Sequence, residues 1–444
     1  SSPAFRLRAA ALPIVGVLAA RAGNCRSRGL VADHVGCVVY NERRTTRTTA
    51  ESEATMHYIT AGESHGPELT AIVSGVPAGL KVSADQINSD LSRRQSGYGR
   101  GGRQKIERDL VEVRSGVRFG RTLGTPLSLV VKNRDWENWA GRMAAFGEPP
   151  ADLVREVTPR PGHADLVGAL KTNTDDCRNV LERASARETA ARVAATGVAR
   201  EFLAELGVEV FSYVVSIGDV ELCEDDALLA APDYKPLDIE MSEVRCPDPA
   251  TTEAMKKAID AAREAGESLG GVFRVVATGL LPGLGGYATS SERLTSRIGA
   301  AVLSIPAIKG VEFGLGFEAA RRPGSQVHDT IVADETGFTR AGNNAGGLEG
   351  GMTTGMPLIV TAAMKPIPTL MQPLATVNMD TLEAAQASRE RSDVCAVPAC
   401  AVVAEGEVAF ALANAYQEAF GCTNMTDIKA SIRAYKQRIR TMSR

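Results

Sequence analysis

The sequence predicts one large α/β body, and three observations carry that prediction. The chain has 444 residues, 44% hydrophobic and 23% charged, which is ordinary globular composition. Strand and helix patterns alternate irregularly, with long Gly-rich loops between them. No Pro/Ser linker divides the chain, so one body is favoured over two independent domains of about 150 residues, which remain the alternative. A faint echo relates two halves, each pairing strands with long helices.

The elements follow in order. Met56 opens a strand pattern, and residues 70–76 continue it up to the turn Pro77-Ala78-Gly79. Residues 83–95 read as a helix, with Ser83 as N-cap and Gln86 three residues later in capping-box spacing. Residues 110–117 and 126–131 read as strands, split by Gly120 and Gly124. An Ala-, Arg- and Glu-rich stretch predicts one long helix over 175–206, and 207–217 returns to strand. Then come a helix over 249–265, a strand over 271–279, a helix over 290–303 and strands over 309–315 and 357–363. Residues 405–420 carry Ala, Phe and Leu at helical spacing.

The ends differ from the body. Residues 1–55 hold eight arginines, no lysine and four acids. The stretch 9–20 imitates a signal h-region, and the Arg-rich composition imitates a transit peptide. We expect an extension that is disordered or non-native, translated ahead of Met56, with organelle targeting as the alternative. Residues 56–425 are the expected catalytic domain and 426–444 a basic tail. The whole chain carries a net charge of −3; without residues 1–55, 42 basic and 49 acidic residues remain, a charge of −7. An acidic body with 5% aromatic residues argues against nucleic acid as a partner. Eight cysteines without a CxxC pair argue for reduced thiols and a cytoplasmic location. No run of 18 apolar residues suggests a membrane span.

Chemistry concentrates in a few segments. Gly62-Glu63-Ser64-His65-Gly66 sets one of only five histidines in a loop where backbone can approach a ligand. Residues 93–103 hold four arginines and four glycines, suited to a phosphate or carboxylate. Arg160-Pro161-Gly162-His163-Ala164-Asp165 supplies a second loop histidine with a carboxylate two residues on. Arg183 to Thr189 opens the long helix, where Ser185 and free N–H groups suit an anion and Arg187 adds charge. Further on lie the Gly-rich loop 343–352, Lys365-Pro366-Ile367-Pro368-Thr369, and Arg389, Arg391 and Asp393 ahead of a helix. Metal-ligand spacing is absent, as are a Walker A motif, a G-x-G-x-x-G after a strand and a G-x-S-x-G elbow. The pattern describes binding of a small polyanion with proton management.

At these residues the sequence resembles the chorismate synthase family. The carriers are G-E-S-H-G at 62–66, E-R-A-S-A-R-E-T-A-A-R-V-A at 182–194 and R-S-D-V-C-A-V-P at 391–398. The R-R-x-x-G-Y-G-R-G-G-R loop, R-P-G-H-A-D, N-A-G-G-L-E-G-G and K-P-I-P-T match in order and spacing, from Met56 to about Gly421. The resemblance implies a β-α-β sandwich with a helical layer between sheets, assembled as a homotetramer. It implies a lyase that converts 5-enolpyruvylshikimate 3-phosphate to chorismate and phosphate, the last step of the shikimate pathway. That reaction is an anti-1,4-elimination that needs reduced FMN without net redox change.

The implied roles fall on matching residues. His65 corresponds to the acid near the flavin, His163 to the one facing the departing phosphate. Asp393 corresponds to the carboxylate that removes the C6 proton by way of flavin N5, with Ser64 and Ser185 in support. Arg183, Ala184, Ser185, Gly350, Lys365, Pro366, Ile367, Pro368, Thr369 and Arg391 match FMN contacts. Pro306 and Ala307 stand where the family often has Asn or Gln before Ala, so a contact there must come from a carbonyl or from Ala307. Arg94 and Arg100 match positions usually given to NADP, and equally suit the substrate phosphate. Arg160 and Arg187 are candidates for the substrate's anionic groups. An FMN-dependent NADPH oxidoreductase is the alternative; the missing dinucleotide fingerprint weighs against it. NADPH remains a candidate flavin reductant, although external reduced flavin is expected.

Overall fold

The computed structural model describes residues 55–102, 107–223, 239–334, 337–390 and 393–442. The expectations for 1–54, for Arg103 and for Arg391 lie outside the described residues.

Strands β1 (His57–Ala61), β2 (Glu68–Ser74), β3 (Val111–Ser115) and β4 (Leu127–Lys132) form an antiparallel sheet in the order β1-β2-β4-β3. Helix α1 (Ala84–Gln95) lies between β2 and β3 in sequence. Period-two side-chain alternation puts Leu69, Ala71 and Val73 of β2 into the core. Ser83 caps α1 by accepting from Gln86 N–H. Its own N–H goes to Glu201 rather than back to Gln86, so half of the expected box forms.

The expected helix over 175–206 is broken. A short turn of helix at Arg178–Leu181, a 3₁₀ turn at Ala186–Glu188 and α3 (Thr189–Glu205) replace it. Ahead of it lies α2 (Asp165–Thr172). Ser185 turns extended, with ψ 145°, and its hydroxyl accepts from Arg187 N–H. Helix propensity alone would run through Glu182-Arg183-Ala184, and helical bonding does continue to Ala184 N–H; the break falls at Ser185, which leaves the helix to cap the next turn.

The second sheet runs β7-β8-β6-β5, where β5 is Glu209–Ile217, β6 Gly271–Thr278, β7 Ile308–Phe313 and β8 Leu358–Met364. Helix α4 (Pro249–Glu264) precedes β6, and α5 (Leu294–Leu303) lies between β6 and β7. The short strand Val220–Glu221 extends the β5 edge. Taken in chain order, the first, second, fourth and third strands are neighbours in each sheet, and every pair is antiparallel. In each half a helix joins the second strand to the third, and a long helix follows the fourth. The echo expected from sequence is thus a repeated unit.

The two long helices, α3 and α6 (Val397–Phe420), fill the space between the sheets. Helix α6 starts eight residues before the expected 405, with Pro398 in its first turn, where no N–H is needed. It is long and apolar enough to cross a membrane, yet it is buried against α3, β5 and β6. The expected tail instead joins α7 (Met425–Met442), whose Met425, Ile428 and Ile432 reach the core.

Candidate active site

Beyond β1, Gly62 takes φ 109°, and the chain turns so that Ser64 N–H donates to the Glu182 carbonyl at 2.9 Å. His65 N–H donates to Glu182 Oε2 at 2.8 Å, and the ring Nδ1 lies 2.9 Å from Oε1. Trp139 stacks on the imidazole with centroids 4.1 Å apart. Asp135 Oδ2 stands 4.0 Å from Nε2. Arg178 grips Glu182 from behind and reaches Glu390 with its other nitrogen. Burial works against the Glu182 charge, yet hydrogen bonds from His65 and Arg178 hold the carboxyl below its ordinary value. With Nδ1 turned to Glu182, Nε2 is the nitrogen left for proton exchange.

His163 repeats the device. Its Nδ1 meets Asp165 Oδ1 at 2.5 Å. Arg160 donates through Nε to Asp165 Oδ2 at 2.8 Å and through Nη1 to Thr369 Oγ1 at 3.1 Å. Asp165 is wholly buried; burial opposes its charge, but His163 and Arg160 hold its carboxyl far below the usual carboxylate range.

The arginines are likewise braced from behind. Arg94 and Arg187 converge on Asp109, at 2.9 and 2.5 Å, and Arg187 also reaches Asn133 at 2.8 Å. Burial pushes Arg94 down to about 10, with Asp109 opposing and Arg187 and Arg100 adding to the fall. Arg100 lies 2.9 Å from Asp393 Oδ2, while Gly101 N–H donates to Oδ1 at 2.6 Å. The expected base and an expected anion-binding arginine are therefore paired with each other.

These groups line one cavity of about 500 Å³. Ser64, His65, Arg94, Arg100, Arg160, His163, Ala184, Ser185, Arg187, Pro306, Ala307, Lys365, Ile367, Pro368, Thr369 and Asp393 all border it. Three expected residues do not. Arg183 ties the turn to β1 by donating to the Thr60 and Gly62 carbonyls. Gly350 sits in the exposed turn between Leu348–Glu349 and Met352–Thr353, facing open space. Pro366 is exposed while its neighbours face the cavity. At the position of the departure noted above, Ala307 adopts φ 72° and its carbonyl accepts from Lys365 N–H at 3.0 Å. That carbonyl is therefore engaged within the protein.

Sequence reading missed Glu182 and Asp109 as site supports, along with Trp139 and Lys309 as cavity walls. Asp165 was visible as a carboxylate near His163, but its grip on Arg160 was not. Trp139 stands alone in sequence, whereas Lys309 lies two residues after Ala307, in the stretch where only Pro306 and Ala307 were singled out.

The site thus sets two histidines on buried carboxylates beside an arginine-rich cleft, on a doubled β-α-β sandwich. The chain belongs to the chorismate synthase family, whose model matches residues 56–417. It is 52% identical over 393 residues to the chorismate synthase of Aquifex aeolicus, covering 87% of this chain and 98% of the relative. It is 56% identical over 384 residues to that of Rubrobacter xylanophilus, covering 86% and 97%. A solved structure titled "Crystal Structure of Chorismate Synthase" matches with TM-score 0.71 and 43% identity, over 87% of this chain and 99% of that one. The chain is accordingly a lyase of the last step of the shikimate pathway.

Proposed function

We propose that the chain converts 5-enolpyruvylshikimate 3-phosphate to chorismate and phosphate by anti-1,4-elimination, with reduced FMN bound and no net redox change. The observation that carries this is the convergence of His65, His163 and Asp393 on one cavity bordered by four arginines and two lysines. The substrate bears a phosphate and two carboxylates, which suits that cation density.

The cavity also suits the cofactor. One wall is apolar, through Ile305, Met364, Ile367 and Ala399. The Nε atoms of Arg94 and Arg100 are buried without an acceptor among the described residues, as an anionic ligand would require. Ala184, Ser185 and Lys365 to Thr369 would hold FMN. When bound, reduced FMN supplies electron density to the breaking allylic C–O bond.

The protein's own groups do the rest. His163 offers Nε2 to the departing phosphate, with Asp165 fixing the ring. Arg160 and Arg187 stabilise the charge that grows there. Asp393, on a short hydrogen bond from Gly101, accepts the C6 proton once Arg100 turns toward a ligand anion. His65 exchanges a proton through Nε2 on the flavin side. Arg94 and Arg100 serve ligand anions in the same cavity, and reduced flavin comes from outside. We extend the reading to a homotetramer, which light scattering checks.

The deciding experiment is an anaerobic assay of purified protein with chemically reduced FMN and the phosphorylated enol ether. Phosphate and chorismate are expected in equal amounts; absence of phosphate release sinks the proposal.

A further inference from the structure

Lys309 enters the account above only as one of the cations that border the cavity, yet the backbone is shaped around it. Ile308 pairs with Met364 and Gly310 with Ala363, so Lys309 is the extra residue of a β-bulge in the edge strand β7. Bulges re-aim a side chain at the cost of ladder regularity, and they concentrate beside active sites. Two residues earlier, Ala307 sits at φ 72°, a conformation that an alanine enters only under constraint. The Ala307 carbonyl accepts from Lys365 N–H, which ties the bulge to the start of the Lys365–Thr369 segment. Both lysines border the cavity.

The cavity's arginines all have carboxylate partners: Arg94 and Arg187 on Asp109, Arg160 on Asp165, and Arg100 on Asp393. Among the described residues, neither Lys309 nor Lys365 has a carboxylate within ion-pair distance. Lys365 spends one of its three donors on the Gly162 carbonyl at 2.6 Å, leaving two. Burial and then the Lys309 charge lower its proton affinity. Close by in sequence, Thr369 accepts from Arg160, so its own hydroxyl proton is still to be donated.

We propose that Lys309, aimed by the bulge, joins Lys365 and the Thr369 hydroxyl in a site for a phosphate-monoester dianion at the cavity edge. The new assignment is Lys309, and it rests on the function proposed above. Two phosphate monoesters enter that chemistry, the 3-phosphate of the substrate and the 5′-phosphate of FMN.

The test uses the full chain with Lys309→Ala and, as conservative partner, Lys309→Arg. Oxidised FMN and riboflavin are titrated by flavin fluorescence, and the phosphorylated substrate by calorimetry. Lys309→Ala should weaken FMN or substrate about tenfold, as expected for one lost charged contact, and leave riboflavin within about twofold. Lys309→Arg should stay within about threefold of wild type for every ligand. Loss confined to FMN assigns the cofactor phosphate, loss confined to substrate assigns the 3-phosphate, and loss of both places the site within reach of either. Unchanged affinities overturn the proposal. So does an equal loss for FMN and riboflavin, which would make Lys309 a packing residue. A wild-type enzyme that releases phosphate while showing those outcomes leaves the function standing and removes only this site.

Discussion

At the scale of single residues, the chemistry rests on acids that do not touch the cavity. Glu182 and Asp165 each fix the Nδ1 side of a histidine, and each is itself held by an arginine. Glu182→Gln is the cleaner probe, because Arg178 keeps Glu390 as a partner. It should lower kcat about ten- to a hundredfold, within the range of acid–base catalysis, with KM within about threefold. Glu182→Asp should recover part of the rate. A kcat unchanged by Glu182→Gln would remove the positioning role. Asp165→Asn strands the buried Arg160 and should cost about 3–5 kcal/mol in denaturant unfolding besides its effect on turnover. Asp393→Asn should keep FMN affinity within about tenfold and lose turnover, since an amide cannot take a proton. Turnover near wild type would refute the base assignment. Loop histidines among glycines were legible in the sequence. Asp165, two residues from His163, was legible as well; Glu182 was not, because it stands 117 positions from His65 and only folding brings the two together.

At the scale of elements, small residues set how the central helices meet. Gly406 of α6 faces Thr196 of α3 so closely that a Cβ would run into the Thr196 hydroxyl. Gly406→Ala should therefore destabilise by about 1–3 kcal/mol through overpacking, although alanine is the better helix former by about 1 kcal/mol. Pairing it with Thr196→Ala should shrink the loss, and a double-mutant cycle in urea measures the coupling. Additive losses would show that the two positions are not in contact. The capped start of α1 was readable from Ser83 and Gln86. The break before α3 was not, since Ala, Arg and Glu dominate 182–189; the chain leaves helix at Ser185, whose hydroxyl caps the turn that follows. The bulge at Lys309 was equally silent, because one extra residue leaves no periodic trace in so short a strand.

At the scale of the whole molecule, a cluster of buried charge crosses the helical layer. Glu405 of α6, wholly buried, takes hydrogen bonds from Arg93, Arg200, Arg245 and the Ser212 hydroxyl. Burial opposes its charge, but the three arginines hold the carboxyl well below the usual range. Asp109, Asp165 and Glu182 are shifted the same way. A depressed carboxylate protonates more readily in the unfolded chain, so it stabilises fully above the ordinary range near pH 4. That stability drains as pH falls through the range and below it. Glu407, Asp90 and Glu201 shift upward, chiefly through burial, and act in the opposite sense. With the depressed, arginine- and histidine-paired carboxylates prevailing, the urea midpoint should fall from pH 7 to pH 3.5. An equal midpoint at both pH values would show that these ion pairs contribute no net stability.

The sequence by itself determined most strands and helices of the body, the Gly-rich loops, the two histidines that border the cavity and, through long ordered motifs, the family. Those features are local, written in spacing, capping and turn residues that lie next to one another in the chain. The repeated sheet order, the break that frees Ser185, the carboxylates behind each histidine and the pairing of Arg100 with Asp393 came only with the tertiary structure. Asp165 apart, which stands two residues from His163, the paired residues come from distant segments, 292 positions apart for Gly101 and Asp393. Such contacts depend on which faces are buried together, and no single stretch of sequence contains that information.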